Sequence, residues 1–127
     1  MNTSQHEARI RVMRLVVDLL RHVHHVYFSD MAFPDGVETT LIAAEIAIAQ
    51  DKGTPFTARR LAAHLQMSRP TLLRRIEYLQ QRGVLVRDRQ ALRFNADLTA
   101  TSAARDAIRR SSQTIIDAAE DLSKMER

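Results

Sequence analysis

Residues 57–94 read TARRLAAHLQMSRPTLLRRIEYLQQRGVLVRDRQALRF, and two apolar periods meet inside this stretch. As far as Leu79, leucine and isoleucine recur at steps of three and four, the period of a helix with one buried face. From Val84 the apolar residues fall into two short β-rich runs, as in a hairpin. Thr57 can cap a short helix holding Leu61, Ala62 and Leu65. Residues 66–68 make a tight turn, and Ser68 can cap a second helix. Pro70 falls in the first turn of that helix, where its missing amide costs nothing. Leu72, Ile76 and Leu79 share its inner face, and Gly83 ends it. The strands VLVRD and ALRFN then flank Arg89 and Gln90.

Two short helices joined by a tight turn and followed at once by a small hairpin predict a winged helix-turn-helix. The expected fold class is mainly α with a small β-hairpin wing, carrying helices on either side. Upstream, Ile10, Met13, Val16, Val17, Leu20, Val23 and Tyr27 predict a helix over residues 4–27. Val12, Leu19 and Val26 widen its stripe beyond what one packing partner needs. SDMAFPDG then predicts a turn closed by Pro34 and Gly36. A helix over residues 37–50 follows, with Leu41, Ala44 and Ile48 inward and Gly53 as its C-terminal cap. The last helix, residues 101–125, carries Ala104, Ile108, Ser111, Ile115, Ala118, Leu122 and Met125 as a heptad seam. The wide first stripe and this seam together favour a homodimer, with Val16, Leu20, Ile108, Ile115 and Leu122 at its interface. At 127 residues the chain is expected to be one domain. Residues 1–36 and 98–127 would be its dimerisation helices, and 37–97 its winged core.

Composition narrows the function. The chain has no cysteine, which excludes disulfides and cysteine-ligated metal sites. No signal-peptide pattern opens it and no apolar run approaches about 18 residues, so a cytoplasmic protein is expected. The net charge of +4 is unevenly spread. Residues 57–95 hold nine arginines against Glu77 and Asp88, while the rest of the chain is net acidic. Such local basicity points to a polyanion.

With Leu72, Ile76 and Leu79 inward, Pro70, Arg74 and Glu77 point outward, flanked by Thr71, Leu73 and Tyr78. Arg69 and Arg75 stand at the flanks. Arginine can bond guanine bidentately in the major groove, which makes Arg74 the first candidate for a base contact. Thr57, Ser68, Thr71 and Tyr78 suit the DNA backbone. Arg87, Arg89 and Gln90 at the hairpin tip suit phosphate or a minor groove.

The segment FTARRLAAHLQMSRPTLLRRIEYLQQRGVLVR resembles the winged helix-turn-helix of bacterial transcription regulators. Two helices before it, a wing and a long last helix are similar to the MarR family. That resemblance implies a homodimeric, sequence-specific regulator of transcription that binds double-stranded DNA; no cofactor is expected. Its paired recognition helices would meet half-sites about one helical turn apart. It also allows for a small-molecule effector in the cleft between terminal helices and winged domain. Gln90 stands where that family's wing carries a second arginine, so phosphate contact is expected rather than deep groove insertion.

The sequence also offers three rival readings. Asp18, His22 and His25 fall on one helical face and could in principle bind zinc or nickel, but Arg11, Arg14 and Arg21 share it, so no metal is expected. No phosphate loop, nucleophile elbow or cysteine nucleophile supports an enzyme. A winged helix can also serve as a protein-interaction or assembly module without DNA. Such a surface would need apolar anchors over residues 68–82, where only Leu73 and Tyr78 qualify.

Overall fold

A computed structural model describes residues 3–125 of the chain. The elements run α1 (Thr3–Tyr27), α2 (Phe33–Asp51), α3 (Ala58–Leu65), α4 (Arg69–Gln81), β1 (Leu85–Asp88), β2 (Ala91–Phe94), α5 (Ala96–Thr99) and α6 (Ser102–Met125). The protein is thus mainly helical with one two-stranded antiparallel hairpin. It divides into two compact units, residues 37–101 and residues 1–36 with 102–127. No helix among the described residues is long and apolar enough to cross a membrane.

The unit of residues 37–101 has a continuous apolar core. Ile42, Ile46, Leu61, Leu72, Ile76, Leu79, Leu85 and Leu92 are all fully buried. The caps follow the sequence. Thr57 Oγ1 accepts from the Arg60 amide at 3.2 Å, and Ser68 caps α4 with Pro70 in its first turn. Gln66 ends α3 in the left-handed region at φ 53°, and Gly83 follows α4 at φ 73°. The hairpin pairs Leu85 with Phe94 and Asp88 with Ala91, leaving Arg89 and Gln90 at its tip. Arg89 also lies in the left-handed region, at φ 58°. Three bonds fasten the hairpin: Leu92 N–H to Phe56 O at 2.8 Å, Phe94 N–H to Gln50 Oε1 at 2.6 Å, and Asn95 N–H to Val84 O at 2.8 Å.

Two expectations for α2 are corrected. Pro34 and Gly36 do not close a turn; they lie in the first turn of α2, which starts at Phe33. Proline is tolerated there because the first helical amides have no partner to lose. The inward face is also different. Leu41 and Ile48 are each 50% exposed and Ala44 is exposed, whereas Thr39, Ile42, Ala43, Ile46 and Ala49 are buried. This helix is apolar on nearly every side, so spacing alone cannot choose its face. The structure chooses the one flanked by Glu38 and Glu45, which bond Arg75 of α4 and His64 of α3.

In the other unit α1 packs along α6. The heptad seam expected on α6 is divided by this packing. Ala104, Ala107 and Ala118 are buried, with Ser111 and Thr114 half-buried between them. Ile108 is 69% exposed and Ile115 47% exposed. Two stripes of the same period lie side by side on this helix, and the small residues take the inner one because they let the helix axes approach closely. Arg11 Nε donates to Asp121 Oδ2 at 2.8 Å across the pair. Yet α1 itself has no buried residue.

Gly36 is a point of close approach in this unit. A Cβ there would stand 2.4 Å from His24 Cδ2. The imidazole is held by Nε2 against Met31 O at 2.7 Å and edge-on to Phe33 at 5.5 Å. Helix propensity favours alanine over glycine by about 1 kcal/mol, while overpacking costs roughly 1–3 kcal/mol. Gly36→Ala is therefore expected to lower stability in urea melts, and to raise it in a His24→Ala background. Stabilisation by Gly36→Ala alone would mean that the ring yields freely.

Candidate nucleic-acid interface

Burial of Leu72, Ile76 and Leu79 fixes which side of α4 meets solvent. Ser68, Arg69, Pro70, Arg74 and Glu77 are exposed, and Leu73 sits at 36% exposure. Neither the Arg69 nor the Arg74 guanidinium has an ion-pair or hydrogen-bond partner among the described residues, so both heads are available. At the start of the helix Ser68 Oγ donates to Thr71 Oγ1 at 2.8 Å. That bond orders both hydroxyls and leaves the Thr71 hydroxyl hydrogen to donate onward. Glu77 accepts from Gln81 Nε2 at 3.3 Å, which holds its carboxylate on the same outer side.

Tyr78 is half-buried, and burial pushes its phenol above the ordinary tyrosine value. It therefore stays a neutral hydroxyl donor across the neutral range. The Arg82 guanidinium lies over its ring at 4.9 Å, a cation–π contact that steadies the ring.

Not every candidate points outward. Arg75 Nε donates to Glu38 Oε1 at 2.9 Å, and its side chain is only 14% exposed. It is a strut between α4 and α2, its charge matched within the unit. Thr57 is half-buried and its hydroxyl oxygen serves the α3 cap. On the hairpin Arg87, Arg89 and Gln90 are exposed, and none has a side-chain partner among the described residues. Arg93 stands 3.5 Å from Asp88, which offsets the one acid near the tip.

Two further exposed cations belong to the same unit and were not singled out from the sequence. Arg59 and Arg60 project from α3, and their guanidinium groups have no partner among the described residues. The signal for them was the arginine count over residues 57–95; the ladder of α3 showed only which residues go inward.

The dimer candidates fall in the other unit. Val16, Ile108 and Ile115 are exposed, while Leu20 and Leu122 are half-buried. Ile10, Val12, Met13, Val17 and Ile116 extend the exposed apolar set along α1 and α6. Of the histidines on α1, His22 Nε2 lies 3.3 Å from Ala107 O, and His25 is exposed. Among the described residues no group of three or more His, Cys, Asp or Glu side chains is placed to hold a metal ion.

The core and the caps turn one side of α4, the tip of the hairpin and two α3 cations to solvent on a single unit. Compared with known family models, curated proteins and solved structures, the chain has no significant match in any of the three.

Proposed function

We propose that this protein is a winged helix-turn-helix regulator of transcription, MarR-like in organisation, that binds double-stranded DNA as a homodimer. In this reading α3 and α4 are the helix-turn-helix, α4 is the recognition helix in the major groove, and the β1–β2 hairpin is the wing. The observation that carries it is the division of α4. One side is wholly buried leucine and isoleucine, and the other offers Arg69 and Arg74 with unmatched charge. A solvated face of a soluble helix usually mixes both signs and pairs them. Two acids of the unit, Glu38 and Glu45, are engaged by Arg75 and His64, and on this side of α4 Glu77 bonds Gln81 and neither arginine. The cations left over suit phosphate and guanine.

The roles divide by reach. Arg74 reads a base edge. Arg69, Ser68, Thr71 and Tyr78 grip the backbone, and Arg87, Arg89 and Gln90 hold flanking phosphates. The second copy docks on the exposed apolar residues of α1 and α6, since a twofold pairing lets one such face cover the other.

The test is fluorescence anisotropy on duplex DNA across a salt series, first with random sequence and then with a selected site. Affinity should fall steeply with salt, by about 0.9 log units per log unit for each phosphate neutralised. On the selected site Arg74→Ala should cost about 1–3 kcal/mol with folding intact. An equal loss on every sequence would move Arg74 to the backbone. No binding at low salt would favour a winged helix used for protein assembly.

A further inference from the structure

Residues 57–95 hold two acids, Glu77 and Asp88, among nine arginines, and the fold treats the two differently. Asp88 lies 3.5 Å from Arg93, which offsets its charge. Glu77 is exposed on the outer side of α4, and no cation pairs with it among the described residues. Arg74 stands three positions earlier, a spacing at which opposite charges can pair on a helix, yet the two form no ion pair. Glu77 Oε1 accepts from Gln81 Nε2 at 3.3 Å, while Oε2 has no partner among the described residues. We infer that Glu77 determines base specificity: its carboxylate accepts from the 4-amino group of a cytosine beside the guanine that Arg74 reads. This rests on the reading of α4 as the recognition helix.

The chemistry of the base edges selects cytosine. A carboxylate carried into the groove of a polyanion weakens binding to every sequence unless a base offers it a donor. In the major groove only the amino groups of cytosine and adenine do so. On adenine that donor stands beside the N7 acceptor, which repels the second oxygen of a carboxylate. The cytosine edge carries no acceptor of its own. Guanine O6 and N7 and thymine O4 are acceptors, and they repel Glu77 outright. The residue thus penalises three bases and favours one, a gain in discrimination at the expense of affinity.

Helix geometry gives the position. Three residues of α4 advance about 4.5 Å along the axis, against about 3.4 Å per base pair. Arg74 and Glu77, on the same outer side, therefore meet adjacent base pairs. The Gln81 amide already holds the carboxylate on that side, so less side-chain freedom is lost on contact.

The test is selection from a randomised duplex library with the parent chain, Glu77→Ala and Glu77→Gln. Anisotropy on the selected site and its single-base variants follows. The parent should select cytosine next to a guanine, and replacing that cytosine should weaken binding about tenfold or more. Glu77→Ala should bind random duplex more tightly and select no base at that position. Glu77→Gln should select adenine there, since a side-chain amide donates to N7 and accepts from N6. Position 77 is exposed, so folding is not at stake in either variant. An unchanged preference in both variants would make Glu77 a solvated acid outside the groove and overturn the assignment. So would loss of the guanine preference in place of the cytosine preference, the mark of a carboxylate that only orients Arg74. Both of those outcomes leave the regulator reading standing. A parent chain that binds no duplex at low salt would remove that reading, and this assignment with it.

Discussion

Under the proposed homodimer, Ile115→Asp is expected to convert dimer to monomer in size-exclusion chromatography with light scattering, with the unit of residues 37–101 still folded. Unless something covers them, Ile10, Val12, Met13, Val16, Val17, Ile108, Ile115 and Ile116 leave a broad apolar area in water, with Ile108 the most exposed at 69%. Burying such area yields about 25 cal/mol per Å², and large contiguous apolar patches are uncommon on monomers. A twofold interface repeats each substitution, so one aspartate per chain places two carboxylates in the same apolar contact. Leaving a buried charge unpaired costs roughly 3–5 kcal/mol, which weakens dimerisation by more than a hundredfold. Binding to a palindromic site should fall with it, while binding of a single half-site should not. Gln113→Glu, at an exposed position of the same helix turned away from Ile108 and Ile115, serves as the control and should elute as the parent does. An Ile115→Asp chain of unchanged size would remove this face from the interface.

Leu92→Ala carries the second large effect. The side chain is fully buried although it comes from a two-stranded hairpin, and an isolated hairpin of that size has marginal stability in water. The hairpin holds its shape because Leu92 is set into the core and its amide is tied to Phe56 O. Truncation removes the transfer energy and leaves a cavity, together about 2–5 kcal/mol. That is a large share of the roughly 5–15 kcal/mol typical of a domain. Urea melts should show the loss as a shifted midpoint, and hydrogen exchange should show the amides of residues 87–91 opening before α4. A cost under about 1 kcal/mol would mean the hairpin is a surface appendage.

Much of this architecture could be read from local signals. The caps at Thr57 and Ser68, the proline after Arg69 and the glycine after Arg82 each act within a few residues, so they bounded α3 and α4 from the sequence. The ladder of Leu72, Ile76 and Leu79 worked because its neighbours are polar, leaving one face to bury. The same logic failed on α2, where apolar residues surround the axis and only the partners of Glu38 and Glu45 single out a face. On α6 the period was legible, but two stripes shared it, and side-chain size decided between them. The helical period put Arg74 outward and Arg75 at the flank, but no local cue showed that Arg75 is engaged, since its partner lies 37 positions upstream. The short helix α5 depends on Asn95, whose side chain accepts from the Asp97 amide at 3.1 Å, a cap that also reads as the last residue of the second strand.

Arg89 and Gln66 share a left-handed backbone that glycine adopts freely, and for other residues that conformation costs about 1–2 kcal/mol. At Gln66 nothing but the turn is at stake. At Arg89 the same backbone also carries a cation at the hairpin tip. The two positions should therefore part ways in a laboratory selection. A library passed through heat alone is expected to drift toward glycine at both. A library passed through capture on DNA should drift at 66 and keep a basic residue at 89. Position 66 thus works as an internal reference, and the divergence of 89 from it would measure how far the tip has traded conformational ease for charge.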